Sequence, residues 1–228
     1  MNRRWPVLLS VMVFLGWGAP PPPPNHPHLV PLTFEAAAER GSYFARGEGF
    51  TAFFEPSRVT IDTASGPFSM VFRHAGPDTA MLAEERQTGR ASDGENALMH
   101  PSGVAQFGQL RYARLYPGVD LIFHGPRTAL EYDFVIEPGT SPAKIEMEME
   151  GSSMELRPDG SLALSRRGTT LLHHRPFLYQ EKGGARMEVS GRYVRSGPNR
   201  VRFAVGPYDR SMPLVIDPVI KCSIGTPR

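Results

Sequence analysis

Alternation of apolar and polar residues is the clearest pattern in the chain, and it is strictest between residues 119 and 136. Apolar side chains occupy every second position from Val119 to Phe123, and again from Leu130 to Ile136. Side chains two residues apart share one face of a strand, so each run offers an apolar face to a core. A Gly-Pro pair punctuates the connection between the runs. The pattern predicts a β-hairpin at the centre of a β domain.

Short runs of the same kind continue on both sides of this hairpin. Residues 32–73 contain about five of them and the chain after residue 104 about ten more, separated by Gly, Pro and Ser. The segment IEMEME at residues 145–150 predicts Ile and Met side chains that face inward and Glu side chains that face outward. No strand–helix–strand alternation is present. We therefore expect an all-β fold, an antiparallel β-sandwich with many short strands, built as one unit or as two packed sub-sandwiches.

The segments outside the alternating runs suggest an exported protein. Residues 1–18 read as a signal peptide, because Arg3 and Arg4 precede a short apolar run, with an uncleaved anchor as the alternative. Residues 19–31 form a proline-rich spacer. We expect a β-rich domain over residues 32–219, a long loop or insertion at 74–103 in which 81–86 could form a helical turn, and a disordered tail at 220–228. The expected localisation is extracytoplasmic, secreted or at the cell surface, with no membrane span beyond the signal segment.

Composition narrows the function classes. The chain has 25 basic and 23 acidic residues, a net charge of +2, without the basic stripe of a nucleic-acid-binding protein. Its single cysteine, Cys222, cannot form an internal disulfide and is interpreted as an incidental thiol in the tail. No phosphate-binding glycine loop, metal-ligand spacing or nucleophile motif is present in the sequence. We therefore predict no catalytic residues, no metal and no cofactor.

A pair of carboxylates in the central hairpin is the first candidate for chemistry. Glu131 and Asp133 lie two positions apart on one strand, about 6.5–7 Å from each other. Carboxylates at this separation serve glycoside hydrolysis, but such pairs usually come from different strands across a cleft. The expected alternative is an ion pair between one of them and an arginine such as Arg111 or Arg114, which would order the hairpin.

Aromatic and histidine side chains supply the remaining candidates. A platform that stacks on sugar rings could be built by Tyr112, Tyr116, Tyr179 and Tyr193, with Tyr208 as a further member. The competing interpretation is that these tyrosines close the core, with their hydroxyls at its rim. His173 and His174 are neighbours on one strand, so they point to opposite faces and one of them belongs to the core or its rim. His26 and His28 in the spacer are interpreted as solvated residues.

Several segments carry a resemblance to a known family. The segments YPGVDL, LEYDF and PLVIDP occur in this order, together with the segment at residues 32–54. As a set they resemble the bacterial domain found ahead of SBBP-type (seven-bladed β-propeller-like) repeats in large exported proteins. The resemblance covers residues 32–219. It implies an extracytoplasmic, β-rich, non-catalytic domain without known catalytic or ligand residues.

The sequence departs from this family in two places. Residues 90–108 lack the Asn- and Trp-containing segment that would be expected there, and the chain ends shortly after IDPV, where repeats begin in the larger proteins. The chain would then be a stand-alone version or a truncated reading frame.

Three functions follow as expectations, in decreasing order of preference. The first is an exported non-catalytic structural or interaction domain of a cell-surface protein. Its partners would be other domains or repeats of longer relatives, received at a strand edge near residues 214–219. The second is a carbohydrate-binding module for cell-surface glycans. The third is a glycoside hydrolase that uses Glu131 or Asp133.

Overall fold

Strands dominate the structure, a computed structural model that describes residues 30–39, 41–86 and 104–224. In chain order the first strands are β1 (Phe34–Ala36), β2 (Tyr43–Gly47), β3 (Phe50–Glu55), β4 (Arg58–Thr63), β5 (Gly66–Phe72), β6 (Ala80–Arg86), β7 (Phe107–Tyr116), β8 (Val119–His124) and β9 (Leu130–Ile136). A short 3-10 turn (Pro142–Lys144) precedes β10 (Glu146–Glu150), β11 (Ser153–Leu156), β12 (Leu162–Arg166), β13 (Thr169–His173), β14 (Phe177–Lys182), β15 (Ala185–Val189), β16 (Gly191–Arg195), β17 (Arg200–Val205), β18 (Leu214–Asp217) and β19 (Val219–Ile224). The predicted all-β, antiparallel fold is confirmed.

The strands form one antiparallel network that folds over on itself into two layers. In the first layer the order is β1-β2-β3-β4-β5-β10-β17-β16. The second layer runs β6-β7-β8-β9, after which β9 pairs with β18 and then with β19. From there β18 leads to β14 and β15, while β19 leads to β13, β12 and β11. Because β1 also pairs with β7, the two layers are joined at one side.

Aromatic side chains from the two layers meet in a single core. The rings of Phe54 and Phe123 lie 5.0 Å apart, and the ring of Phe134 lies 6.4 Å from Phe72 and 5.7 Å from Phe203. These contacts join β3, β5 and β17 of one layer to β8 and β9 of the other. Most of the buried apolar residues in the described ranges form one continuous cluster, so the domain is one sandwich and not two packed sub-sandwiches.

The central hairpin forms as predicted. β8 pairs with β9 in register from Val119 opposite Ile136 to His124 opposite Glu131. Leu130, Tyr132 and Phe134 are buried in the core. Their neighbours along β9 therefore point to the outer face of the second layer, which places the functional candidates described below.

The YPGVDL segment explains how β7 turns into β8. Gly118 has φ +77° at the turn, a conformation that residues with a side chain rarely adopt. Asp120 then reaches back to β7: its Oδ1 accepts a hydrogen bond from the backbone N–H of Arg114 at 2.7 Å. Arg114 itself has φ +54°, at a bulge where the β7–β8 register shifts. The carboxylate thus fixes the bulge.

The IEMEME segment also has the predicted orientation. Met147 and Met149 are buried, whereas the glutamates of β10 lie on the other face, beside arginines of β4 and β17. Glu146 differs from the other two glutamates of β10 because it is buried, with 4 % of its surface exposed. Its carboxylate accepts hydrogen bonds from Arg202 Nε at 2.9 Å and Ser196 Oγ at 2.8 Å, so the outward face of β10 is closed by ion pairs.

Two expected segment boundaries and one expected free strand edge are wrong. Residues 80–86 of the expected loop at 74–103 form β6, a strand and not a helical turn, because pairing with β7 overrides the local helix preference of this segment. The expected tail at 220–228 begins inside β19, where Cys222 pairs with Leu171 and packs partly buried against the core. The expected hand-over edge near residues 214–219 is not free, since β18 is paired with β14 and with β9.

Some predictions fall on residues that the structure does not describe. The signal segment, most of the spacer with His26 and His28, and residues 87–103 lie outside the described ranges. Within the ranges that are described, no helix has the length and hydrophobicity required to cross a bilayer.

Candidate functional site

A charged and aromatic strip crosses the outer face of the second layer, where five neighbouring strands present outward side chains. We call it the outer strip. Its members are His124 on β8, Glu131 and Asp133 on β9, Asp217 on β18, Phe177 and Tyr179 on β14, and Arg186 on β15.

An ion pair between β8 and β9 lies at the centre of the outer strip. The Nε2 of His124 lies 3.1 Å from Oδ2 of Asp133, and its Nδ1 lies 3.7 Å from Oε2 of Glu131. The imidazole is largely buried, with 9 % of its side-chain surface exposed. One histidine therefore bridges both carboxylates of the hairpin.

The arginine partner expected for these carboxylates is wrong. Arg111 instead binds Asp120, with its Nη2 2.6 Å from Oδ2, and also approaches Glu84 at 3.6 Å. The register explains the difference, because His124 stands directly opposite Glu131 whereas Arg111 stands opposite Ile122. Glu131 and Asp133 do share one face, as the alternation predicted.

Asp217 adds a third carboxyl group to this face. Burial is the largest cause that raises its pKa, and the charge of Asp133 raises it further, while His124 lowers it; the result is about 7. The group therefore exchanges its proton near neutral pH instead of remaining ionised as an ordinary aspartate does.

The environment of His124 favours its charged form. Burial lowers the pKa of the imidazole, but the hydrogen bond to Asp133 and the nearby carboxylates outweigh burial and raise it above the usual value. A histidine whose pKa is raised therefore faces an aspartate whose pKa is raised to about 7, so the charge on this face depends on pH.

Aromatic side chains occupy the end of the outer strip that is nearer to β15. The rings of Phe177 and Tyr179 stack at a centroid distance of 5.6 Å and an angle of 28°. The guanidinium carbon of Arg186 lies 4.3 Å from the centre of the Tyr179 ring. Phe177 is 40 % exposed, whereas Tyr179 is buried beneath its neighbours. This end of the strip offers one accessible ring and one cation.

Two polar atoms in the cluster are buried without a hydrogen-bond partner, Nδ1 of His124 and Oδ1 of Asp133. Metal coordination does not follow from them, because no set of three or more His, Cys, Asp or Glu side chains in the described ranges has a metal-binding arrangement. What the arrangement can do is hold a shared proton and present acidic and aromatic groups on one surface.

The predicted tyrosine platform is not formed. Tyr112, Tyr116 and Tyr193 are at most 4 % exposed and lie in the core, so their rings cannot stack on a sugar at the surface. Tyr112 donates its hydroxyl to the carbonyl of Glu55 and Tyr116 to that of Glu146, as expected for residues that close a core at its rim. Only Tyr179 of the four points to the outer face, and it is covered there.

The two neighbouring histidines divide as predicted. His173 is 1 % exposed, and its Nδ1 lies within 3.2 Å of the Tyr132 hydroxyl. Burial lowers the pKa of His173 to about 3, so the imidazole is neutral. It is a core histidine, and His174 lies on the other face of the strand.

Sequence reasoning missed most of the outer strip. His124 and Asp217 were not singled out, although each ends an alternating run at an outward position. The alternating pattern therefore indicates that both side chains point outward. It does not indicate that β8, β9 and β18 lie side by side.

Comparison with known proteins adds a family and no activity. A family model described as "Domain of unknown function (DUF7948)" matches residues 31–219. No curated protein and no solved structure matches the chain.

Proposed function

The chain belongs to the DUF7948 family over residues 31–219, and from the free strand edge of its second layer we propose that it is an extracytoplasmic, non-catalytic interaction domain. In this proposal a partner chain adds a strand beside β15. Strand addition lets main-chain hydrogen bonds supply affinity while alternate side chains supply specificity.

The exposed edge at β15 is the observation that carries this proposal. Among the strands described, β15 pairs with β14 only. Its first four residues are exposed, including Met187, which keeps 41 % of its surface accessible. An unpaired strand edge with an accessible apolar side chain is a template for another strand.

The two faces of β15 differ in chemistry. Arg186 and Glu188 lie on the side of the outer strip, since they pair with Glu181 and Tyr179, whereas Ala185 and Met187 lie on the opposite side. A complementary partner strand therefore alternates charged and apolar residues. The charged residues would lie beside the outer strip.

The proposed export and partner rest on the sequence. The signal-like residues 1–18 and the proline-rich spacer support a location outside the cytoplasm. The resemblance of the YPGVDL, LEYDF and PLVIDP segments to domains that precede SBBP-type repeats supports a partner strand from a neighbouring repeat of a longer relative.

Binding to a separately expressed SBBP-type repeat protein tests the proposal. We expect calorimetry to detect a complex and NMR shift changes to follow the amides of β15. Met187→Lys should weaken binding at least tenfold, because a lysine at an edge disfavours strand addition. The matched control is Leu82→Lys on β6, which replaces another exposed apolar residue, 45 % accessible, on a strand at the far end of the layer.

Three results would contradict the proposal. The repeat protein could fail to bind, its shift changes could avoid β15, or both lysine variants could bind as well as the unchanged domain. Turnover of a panel of glycosides by the purified domain, lost in Glu131→Gln and Asp133→Asn, would replace it with a hydrolase.

A further inference from the structure

A cleft of about 440 Å³ lies on the surface, beside the segments that precede β14 and follow β15. It is lined by the turn between β11 and β12, the connection between β13 and β14, and the ends of β16 and β17. Its size lies in the range of small-molecule sites, roughly 300–1,000 Å³. The side chains that give it a chemical character are Arg175 and Arg192.

The backbone directs both arginines to this cleft. Arg192 pairs across the ladder with Ala204, another lining residue, while the next pair, Tyr193 and Phe203, packs in the core. The side-chain stem of Arg175 rests on Gly160, where a Cβ atom would lie 3.3 Å from it. Gly160, at φ +85°, thus makes the turn and leaves room for the arginine.

Neither guanidinium group is neutralised within the described residues. No ion pair or side-chain hydrogen bond of Arg175 or Arg192 occurs there, whereas the arginines of β17 are paired with glutamates. Asp159 also lines the cleft, but its Oδ1 accepts hydrogen bonds from the backbone N–H and the hydroxyl of Ser161, at 2.9 and 2.6 Å. Two exposed cations therefore line the cleft together with one carboxylate that is already bound to its own turn.

We propose that this cleft binds a carboxylated saccharide, with the two arginines holding the carboxylate of a uronate ring. The planar guanidinium matches a carboxylate with two parallel hydrogen bonds. Ala204 and Val205 provide a small apolar wall for the C–H face of the ring, and Ser190 provides a hydroxyl near its hydroxyls.

An acidic peptide fits this cleft less well than a sugar. An extended peptide needs free backbone groups on the receptor, and some of those at the cleft are already used, since Gly191 pairs with Val205 and the N–H of Gly206 donates to the carbonyl of Ser190 at 2.8 Å. A ligand with hydroxyls and a carboxylate is bound by polar side chains and does not require backbone hydrogen bonds of the kind that join strands. The cleft begins at Ser190, directly after β15, but it relies on arginine side chains and not on the edge of that strand, so variants of Arg175 and Arg192 test it separately from Met187→Lys.

Calorimetry with trigalacturonate, and with the neutral galactose trimer as the matched probe, tests the proposal on the full chain. We expect the acidic trimer to bind at least tenfold more tightly than the neutral one. Arg175→Gln and Arg192→Gln should each weaken it about tenfold or more, and the double variant should abolish measurable binding. Arg167→Gln, at an exposed turn at the other end of β13, is the control and should leave binding unchanged.

NMR locates the ligand independently of the variants, because amide shifts of Gly160, Gly191 and Gly206 should change with trigalacturonate. Equal binding of the neutral trimer, retention of binding in the double variant, or absence of binding to the unchanged chain would overturn the proposal. Tighter binding of a glutamate-rich peptide than of trigalacturonate would overturn the assignment to sugars. Circular dichroism of each variant confirms that lost binding does not reflect lost folding.

Discussion

His124 and Asp133 form the closest ion pair of the outer strip, with Nε2 of the imidazole 3.1 Å from Oδ2 of the carboxylate. The two residues come from adjacent strands of the hairpin that organises the domain. Asp217 and Glu131 lie close enough that their charges act on the same imidazole. Four ionisable groups thus share one partly buried surface, and their protonation is coupled to the stability of the fold.

The domain should be more stable at mildly acidic than at alkaline pH. The pKa of Asp217 is raised to about 7 in the folded protein, so the cost of its buried charge is present above that pH and is relieved as the pH falls from about 7 towards 4. The pKa of His124 is also raised, so the stabilisation from its charged form is lost as the pH rises through this raised pKa of the imidazole. Denaturant unfolding should give a free energy about 1–3 kcal/mol higher near pH 5.5 than near pH 8.5.

Asp217→Asn should remove most of this pH dependence, because it replaces the group whose ionisation is costly with a neutral isostere. The variant should exceed the stability of the unchanged protein by more near pH 8.5 than near pH 5.5, and the difference should close only towards pH 4, where the unfolded aspartate is also protonated. Asp62→Asn, at an exposed position of β4, serves as the control. If the free energy of unfolding of Asp217→Asn changes with pH as steeply as that of the unchanged protein, the pH dependence has another source.

A double-mutant cycle should measure the coupling between His124 and Asp133. With His124→Asn and Asp133→Asn we expect a coupling energy of about 1–3 kcal/mol near pH 6, and a smaller one near pH 9, where the imidazole loses its charge. The Arg111–Asp120 pair, at 2.6 Å, is the control cycle. Its coupling should not change between these pH values because arginine stays charged. Equal behaviour of both cycles would contradict the assigned role of His124.

The sequence predicted the strands well because their pattern is local. The alternation in residues 119–136 and 145–150 reports which side chains face inward, and that is enough for an all-β fold and for the shared face of Glu131 and Asp133. The segments that carry the family resemblance also converge in space, since YPGVDL leads into β8, LEYDF lies in β9 and PLVIDP covers β18.

The outer strip could not be predicted from the sequence because it depends on the order of the strands in the sheet. His124, Asp133 and Asp217 meet only because β8, β9 and β18 are neighbours, and no periodicity encodes which strands lie side by side. The same reason accounts for β6, whose residues favour a helix until β7 is placed beside them. The prediction of a tyrosine platform was wrong for a different reason. A tyrosine in an alternating run is equally compatible with the core and with the surface.

Loss of the buried carboxylate on β10 should destabilise the fold much more than loss of an exposed one on the same face. Glu146→Ala removes the acceptor of Arg202 and Ser196, and we expect a loss of about 1–3 kcal/mol in urea unfolding at pH 7, the magnitude of hydrogen bonds to a charged group. Glu150→Ala, whose partner Arg58 is also partly exposed, should cost less than about 1 kcal/mol. Similar losses in the two variants would mean that burial of Glu146 adds nothing to its ion pair.

The pKa of Glu146 is lowered by its hydrogen bond with Arg202, so its stabilisation is present above the ordinary glutamate value and is lost as the pH falls through the lowered one. The gap between the unchanged protein and Glu146→Ala should therefore narrow below about pH 4. A gap that is constant from pH 7 to pH 3 would assign the loss to packing and not to charge.

Packing between the two layers should depend on Phe134 more than on any outward aromatic residue of the second layer. Its ring meets Phe72 and Phe203 of the opposite layer and is fully buried, so Phe134→Ala leaves a cavity at the centre of the core. We expect a loss of about 3–5 kcal/mol in the free energy of unfolding. Phe177→Ala removes the same atoms from a ring that is 40 % exposed and should cost about 1 kcal/mol or less. Because the two substitutions are chemically identical, equal losses would show that the layers are not held together through the β5–β9–β17 contact.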